Sequence, residues 1–189
     1  SGTLQVAYMA PTEILAKQHF ESFIRYFEDL PISIALITGS GCYKFPSKSA
    51  PGTATSISRT QLLKWVANGE IAMLVGTHAL IQKRVQFKNL AYCIVDEQHR
   101  FGTRQRRELA RKDGASPHFL SMTATSIPRT LALILYGDLD ISVLDELPPG
   151  RVPIETVIVK KQERMRAYER IHEELRHGRQ AYVICPRID

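Results

Sequence analysis

The chain has 189 residues, 44% of them hydrophobic and 23% charged, which suits one well-buried domain and part of a second. No run approaches the roughly 18 to 20 uninterrupted apolar residues of a membrane span, and no signal peptide pattern is present, which predicts a cytoplasmic protein that binds no membrane. The net charge is +6, and the stretch from Gly39 to Gly69, with four basic and no acidic residues, suits either a bound polyanion such as nucleic acid or a solvated loop.

Short apolar segments alternate with helical patterns along most of the chain. Five of them are bounded by Gly, Pro or charged residues and predict β-strands at residues 5–10, 32–37, 71–75, 91–95 and 118–122. Three helices are predicted between them: one capped by Thr12 and running to about Asp29, one capped by Ser58 and ending at Gly69, and one beginning at Pro128. Strands that alternate with crossover helices predict an α/β fold with a mostly parallel sheet flanked by helices.

The segment 42–58 interrupts this alternation. It is rich in Pro, Ser, Gly and Lys, and it predicts a long surface loop in which Lys44 and Lys48 are weak candidates for DNA contact. The cysteines lie far apart in the sequence, which favours reduced thiols over disulfides or a metal site; they are Cys42, Cys93 and Cys185.

A second interruption, residues 147–153, is rich in proline and predicts a linker between two domains. The first domain would then comprise residues 1–146 and the second would begin at residue 154 and continue to 189. The second part is expected to contain a strand at 155–160, a helix from about residue 162 to 177 and a strand at 181–185.

Two acidic residues, Asp96 and Glu97, directly follow the apolar segment AYCIV. In parallel α/β sheets, ligands bind at the carboxyl ends of the strands, so both carboxylates are expected at a binding edge. An Asp at such a position can hold a magnesium ion that bridges nucleotide phosphates, and a neighbouring Glu can polarise an attacking water. Ordinary loops also begin with acidic residues, so the pair is not specific by itself.

Four stretches together resemble the superfamily 2 helicases: MAPTEILAKQH at 9–19, VGTHALIQ at 75–82, IVDEQHRFG at 94–102 and SMTATSIPRTL at 121–131. Within that superfamily the chain is similar to the ATP-dependent helicases that remodel branched DNA, through APTE at 10–13 and DELPPGR at 145–151. Transcription-repair coupling translocases share the DE-x-HRFG and TAT-x-IPRT patterns and are the alternative within the superfamily. The resemblance covers nearly the whole chain and implies a first RecA-like lobe followed by the start of a second.

The resemblance implies a role for each matching residue. Asp96 would bind magnesium, and Glu97 would activate the water that hydrolyses ATP. Residues that relay the nucleotide state or couple hydrolysis to movement would be Gln98, His99, Thr123, Ala124 and Thr125. DNA contacts would come from Pro11, Thr12, Gly76, Thr77, His78 and Arg129. Simpler explanations also fit: a helix cap at residue 12, a tight turn at 76–78, a strand exit at 123–125 and an acidic partner for the arginine.

The sequence departs from that family in one important element, because it contains no G-x-x-x-x-G-K-[ST] pattern, the loop that grips nucleotide phosphates. The chain is therefore expected to be part of the motor of a parent protein, lacking the start of its first lobe, and to hydrolyse negligible ATP alone. The parent would use ATP and Mg²⁺, act on branched double-stranded DNA and be monomeric. A non-catalytic module that binds DNA or a protein partner is the alternative from another functional class.

Overall fold

The computed structural model describes residues 4–47, 52–82, 84–96, 117–123, 140–146 and 148–185. The chain divides into two compact units, Ser1–Gly137 and Asp138–Asp189. The predicted linker at residues 147–153, with a first domain ending at residue 146 and a second beginning at residue 154, remains a prediction. Among the residues described, no helix is long and apolar enough to cross a membrane.

A seven-stranded sheet forms the centre of the first unit. Its strands in chain order are β1 (Gln5–Met9), β2 (Ile34–Ile37), β3 (Cys42–Phe45), β4 (Thr55–Ser56), β5 (Met73–Gly76), β6 (Leu90–Val95) and β7 (His118–Ser121). Their spatial order is β4-β3-β2-β5-β1-β6-β7. The five strands from β2 to β7 in that order are parallel, and β3 and β4 are antiparallel. The predicted α/β fold with a mostly parallel sheet is confirmed.

Two helices of the first unit begin at the predicted caps. In α1 (Glu13–Tyr26), the Thr12 hydroxyl accepts a hydrogen bond from the backbone N–H of Leu15 at 3.3 Å. In α2 (Arg59–Ala67), the Ser58 hydroxyl accepts one from the backbone N–H of Gln61 at 3.2 Å. These hydroxyls satisfy N–H groups that the first helical turn leaves without a partner. Gly69, at φ +78°, follows the end of α2, where a left-handed residue commonly terminates a helix.

Apolar side chains cover both faces of the sheet, which explains why its strands are hydrophobic throughout. On one face, buried residues of α2 and of the segment before β6 pack on the strands, among them Leu62, Val66, Leu80, Val85 and Phe87. On the other face, Ala16 and Phe20 of α1 pack against Tyr8, Leu36 and Val75. Each fully buried side chain of this size stabilises the fold by roughly 1.5 to 3 kcal/mol.

The expectation of a surface loop over 42–58 is wrong for much of that segment. β3 pairs with β2 from Ile34↔Phe45 to Ile37↔Cys42, and the short β4 pairs with β3. Cys42 and Phe45 are buried and belong to the clusters on opposite faces of the sheet. The segment therefore forms a β3–β4 hairpin that continues the sheet past β2, because its apolar residues extend both core clusters.

The second unit is built around α3 (Arg164–Arg176), which follows a 3₁₀ turn at Lys161–Glu163, so the predicted helix is present. The predicted strands at 155–160 and 181–185 are wrong, since no strand forms among the described residues 140–146 and 148–185. Ile158 and Ile184 within those segments are 92% and 93% exposed. An apolar segment becomes a strand only when a neighbouring strand supplies backbone partners.

Candidate functional site

The five parallel strands of the sheet end in register along one edge. Pairing across neighbouring strands aligns their last residues in the row Ile37, Gly76, Met9, Val95 and Ser121. Each strand end is followed, within three residues, by polar residues or Pro11, and we refer to these residues as the polar edge: Thr38, Thr77, Pro11–Thr12, Asp96 and Thr123. Neighbouring strands lie about 4.8 Å apart, so segments remote in sequence are neighbours here.

Asp96 lies at the end of β6, and its backbone N–H donates to the carbonyl of Met9 at 2.9 Å. Its side chain is 22% exposed, and its Oδ2 is 3.2 Å from Nε2 of His19 on α1. The same Nε2 is 3.4 Å from the hydroxyl of Tyr8 in β1. The carboxylate is therefore held within a polar triad that joins β1, α1 and β6.

The aromatic surroundings of this triad fix the position of the imidazole. The rings of Tyr8 and His19 have centroids 4.8 Å apart, and Phe23 packs edge-on against Tyr8 at 5.0 Å. The pKa of the Tyr8 hydroxyl is raised to about 12, mainly by burial and to a smaller extent by the nearby Asp96 carboxylate. Tyr8 therefore stays a neutral O–H group at physiological pH.

The chemistry of Asp96 fits a magnesium site, although the described residues contain no cluster of three or more potential protein ligands. Magnesium is commonly bound by only one or two carboxylates, with waters and substrate phosphates completing its coordination. Asp96 is partly exposed at the carboxyl end of a parallel strand, which is where such ligands bind. His19 contacts only one of its oxygens, Oδ2.

The described residues among the predicted DNA contacts lie at the ends of β1 and β5. Thr12 is exposed, and its hydroxyl is already engaged as the cap of α1. His78 is exposed and Thr77 half-buried at the start of a 3₁₀ turn, His78–Ile81. Gly76 is buried, and the close approach it permits is to the carbonyl of Ile37, since an added Cβ would lie 2.6 Å from that oxygen.

A carboxylate and a guanidinium organise the turn between β2 and β3. Glu13 Oε1 accepts hydrogen bonds from the backbone N–H groups of Gly39, at 2.6 Å, and Ser40, at 3.3 Å. Hydrogen bonding to Ser40, with further support from the backbone of Gly39, lowers the pKa of the Glu13 carboxyl. Arg59, at the start of α2, donates to the carbonyl of Thr38. The beginnings of α1 and α2 are thereby tied to one turn at the polar edge.

Lys44 lies away from this edge. It pairs with Ala35 near the beginning of β2, so it sits towards the amino ends of the parallel strands. Its ammonium group is 5.7 Å from the centre of the Trp65 ring and donates to the carbonyl of Pro46. Lys44 is therefore placed for packing on α2 and not beside the other candidates for DNA contact.

Several predicted site residues lie outside the described part of the chain. They are Glu97, Gln98, His99, Ala124, Thr125 and Arg129, together with Lys48 and the helix predicted from Pro128. Of the remaining candidates, the structure aligns Pro11, Thr12, Gly76, Thr77, His78, Asp96 and Thr123 along the same sheet edge.

Sequence reasoning assigned no functional role to His19 or to Glu13. A signal for His19 was present, because it is three residues after buried Ala16 and four before Phe23, on the face of α1 that packs on the sheet. A polar side chain on such a face requires a partner. The Glu13 contact has no comparable local signal, because its partners are more than 25 residues away.

A mostly parallel sheet with helices on both faces and polar residues at the carboxyl ends of its strands is typical of α/β domains that bind ligands at that edge. The chain belongs to the DEAD/DEAH box helicase family, whose pattern matches residues 1–134. This confirms the resemblance to superfamily 2 helicases that the motifs indicated.

The more particular similarity is to the ATP-dependent DNA helicase RecG. The chain is 47% identical to RecG of Synechocystis sp. PCC 6803 over 188 residues, covering 100% of the chain and 21% of that protein. It is 49% identical to RecG of Bacillus subtilis over 185 residues, covering 98% and 25%. A structure of RecG bound to a three-way DNA junction is similar to the chain with a TM-score of 0.69 and 38% sequence identity. The match covers 93% of this chain and 21% of the RecG chain. The chain thus spans about a quarter or less of these relatives.

Proposed function

We propose that this chain is part of the ATP-driven motor of a DNA helicase that remodels branched DNA such as forks and junctions. The observation that carries the proposal is the polar edge: Met9, Gly76 and Val95 pair in register at the strand ends, so the residues that follow them, Thr12, Thr77 and Asp96, lie at the same edge of the sheet. Similarity to RecG along the chain, including a RecG bound to a three-way DNA junction, supports branched DNA as the substrate.

The nucleotide side of the edge comprises the ends of β6 and β7. Asp96 would hold the magnesium ion that accompanies ATP, and Glu97 would orient the hydrolytic water. Gln98 and His99 would communicate the nucleotide state to the DNA side. Thr123 follows β7, whose Ser121 pairs with Val95 of β6, so the motif containing Thr123, Ala124 and Thr125 begins beside Asp96. That proximity supports a role in coupling hydrolysis to movement.

The DNA side comprises the ends of β1 and β5. The N-terminus of α1 offers backbone N–H groups and a positive dipole end to a phosphate, beside Pro11 and Thr12. Thr77 and His78 lie at the next strand end, directly after Gly76, whose missing side chain leaves room for the carbonyl of Ile37. Arg129 is proposed as a further phosphate contact. These contacts would position the DNA backbone without reading its sequence.

The experiment that tests this function is a chimaera in which the chain replaces the matching segment of the Bacillus subtilis RecG. We expect junction-stimulated ATP hydrolysis within about tenfold of the parent enzyme, the lower limit of the loss that disturbed residues around a metal site typically cause. Asp96→Asn in the chimaera should lower turnover by roughly 100-fold or more, as loss of an active-site electrostatic group does. Asp29→Asn, at an exposed position after α1, is the matched control and should leave turnover unchanged.

The alternatives give different results in the same experiment. A chimaera that folds and binds the junction but hydrolyses no ATP would identify the segment as a non-catalytic binding module. Equal turnover in the Asp96→Asn and Asp29→Asn chimaeras would refute the assignment of magnesium binding to Asp96.

A further inference from the structure

His19 is a polar residue on the sheet-facing side of α1, and the proposed function gives it no role. Its side chain is 31% exposed, and its Nε2 lies 3.2 Å from Oδ2 of Asp96, 77 residues further along the chain. Asp96 carries the carboxylate on which the proposed nucleotide site depends.

The imidazole cannot turn freely, because two aromatic rings pack against it. Tyr8 lies 4.8 Å away between ring centroids at an interplanar angle of 50°, and Phe23 lies 6.1 Å away and nearly parallel. The Tyr8 hydroxyl also lies 3.4 Å from Nε2. The direction of the Nε2 hydrogen bond is therefore set by the packing of β1 and α1, independently of Asp96.

A carboxylate at the end of a strand has a broad rotational preference about its last side-chain bond. A hydrogen bond from a fixed donor restricts that rotation and determines where the second oxygen points. In metal sites, groups that orient a ligand in this way typically affect metal affinity by about 10- to 100-fold when they are removed. His19 has the geometry of such a group.

We propose that His19 is the positioning residue that orients the Asp96 carboxylate for magnesium and joins it to α1, the helix that begins at Thr12. This inference rests on the proposed function, because it takes Asp96 as the magnesium ligand. His19 itself does not contact the metal ion. The contact gives the nucleotide side and the DNA side of the polar edge one shared rigid element, α1.

The first test follows the wild-type chain by NMR during a titration with Mg²⁺ alone. The backbone amide of Asp96 reports binding, and the ring carbon-bound protons of His19 report the response of the imidazole. We expect both sets of signals to shift with the same midpoint, and both shifts to disappear in Asp96→Asn. His118, at the opposite end of β7, is the internal reference and should not respond.

The second test compares two substitutions of similar size. His19→Gln keeps a nitrogen donor close to the position of Nε2 and should retain Mg²⁺ affinity within about threefold, whereas His19→Leu should weaken it about tenfold. His118→Leu removes an exposed histidine and should bind Mg²⁺ as the wild type does. Rescue by Gln separates positioning from a packing role, because both variants remove the aromatic ring.

The outcomes distinguish the assignment of magnesium binding to Asp96 from the positioning role of His19. If the Asp96 amide does not respond to Mg²⁺, or responds equally in Asp96→Asn, the magnesium assignment in the proposed function is overturned together with the role of His19. If Asp96→Asn abolishes the response while His19 signals stay fixed in the wild type, the inference about His19 alone is overturned. Equal Mg²⁺ affinities of His19→Gln and His19→Leu would also overturn the positioning role of His19. The titration of the wild-type chain remains a valid test even if a variant fails to fold.

Discussion

The Glu13 carboxylate lies 2.6 Å from the backbone nitrogen of Gly39 and binds the turn after β2 to the first turn of α1. Its pKa is lowered, so the ionised form is favoured in the folded chain. The contribution of this contact to stability is therefore present above the ordinary value of 4.5 and is lost as pH falls through the lower folded value.

We expect the amide proton signals of Gly39 and Ser40 to titrate with a midpoint below pH 4.5 in the wild-type chain and to lose that titration in Glu13→Gln. NMR measurement of the two amide shifts against pH checks this. Glu21→Gln, at an exposed position on the same helix, should leave the titration intact. A midpoint at or above 4.5 would contradict the assigned hydrogen bonds.

A second prediction concerns Gln5, which is 1% exposed at the start of β1. Its amide nitrogen donates to the carbonyls of Val66 and Ile71, and its oxygen accepts from the backbone N–H groups of Lys88 and Asn89. Gln5→Leu would remove all four of these hydrogen bonds, although the Val66 carbonyl would still accept one from the backbone N–H of Gly69. We expect the free energy of unfolding to fall on the order of 3 kcal/mol, measured by urea denaturation.

The control for this variant is Gln61→Leu, at an exposed position of α2. A surface substitution should change the free energy of unfolding by less than about 0.5 kcal/mol. If the two glutamine variants were equally stable, the four hydrogen bonds of Gln5 would not contribute as the structure indicates.

A third prediction concerns Gly76, the last residue of β5. A Cβ at this position would lie 2.6 Å from the carbonyl oxygen of Ile37 and 3.1 Å from Cγ of Leu80. Gly76→Ala should therefore lower the free energy of unfolding by about 2 to 3 kcal/mol. Gly41→Ala is the matched control, since its Cβ would have only an ordinary contact of 3.6 Å with Tyr43. If the two variants unfolded at the same temperature, β2 and β5 would not approach each other as closely at Gly76 as the structure indicates.

A fourth prediction concerns the reactivity of the three thiols. Cys93 is 1% exposed, and burial raises its pKa to about 12. Cys42 is buried with a raised pKa, whereas Cys185 is exposed. A disulfide reagent at pH 8 should modify Cys185 rapidly. Cys42 and Cys93 should both react more slowly by orders of magnitude, because the thiolate is the nucleophile and burial disfavours it. Cys185→Ser should remove the rapid phase, and three thiols reacting together would indicate that the first unit is not folded as described.

Much of the first unit is predictable because its signals are local. The apolar segments that became β1, β5, β6 and β7 are bounded by glycine, proline or charged residues, and the predicted limits differ from the observed ones by only one or two residues. Thr12 and Ser58 cap the helices that follow them, as their hydroxyl side chains indicate. Hydroxyl capping depends only on the next few residues of the chain, so sequence alone is sufficient.

The features that sequence did not predict depend on distant partners. The pairing of β3 with β2 is decided by the core that Cys42 and Phe45 enter, and its polar neighbours conceal that pattern. The contact of His19 with Asp96 crosses from α1 to β6. In the second unit, residues 155–160 have a strand-like composition without a described strand to pair with. Composition indicates a preference, whereas pairing requires a partner.

The β3–β4 hairpin has a consequence for the behaviour of the chain at high concentration. Without it, β2 would be an outer strand of apolar residues, with a row of backbone groups open to pairing with a second molecule. In the described part of the sheet, that margin is instead the two-residue strand β4, Thr55–Ser56. An edge strand this short and polar offers few backbone N–H and C=O groups for pairing with a strand of another molecule. The hairpin therefore protects this side of the sheet from intermolecular aggregation.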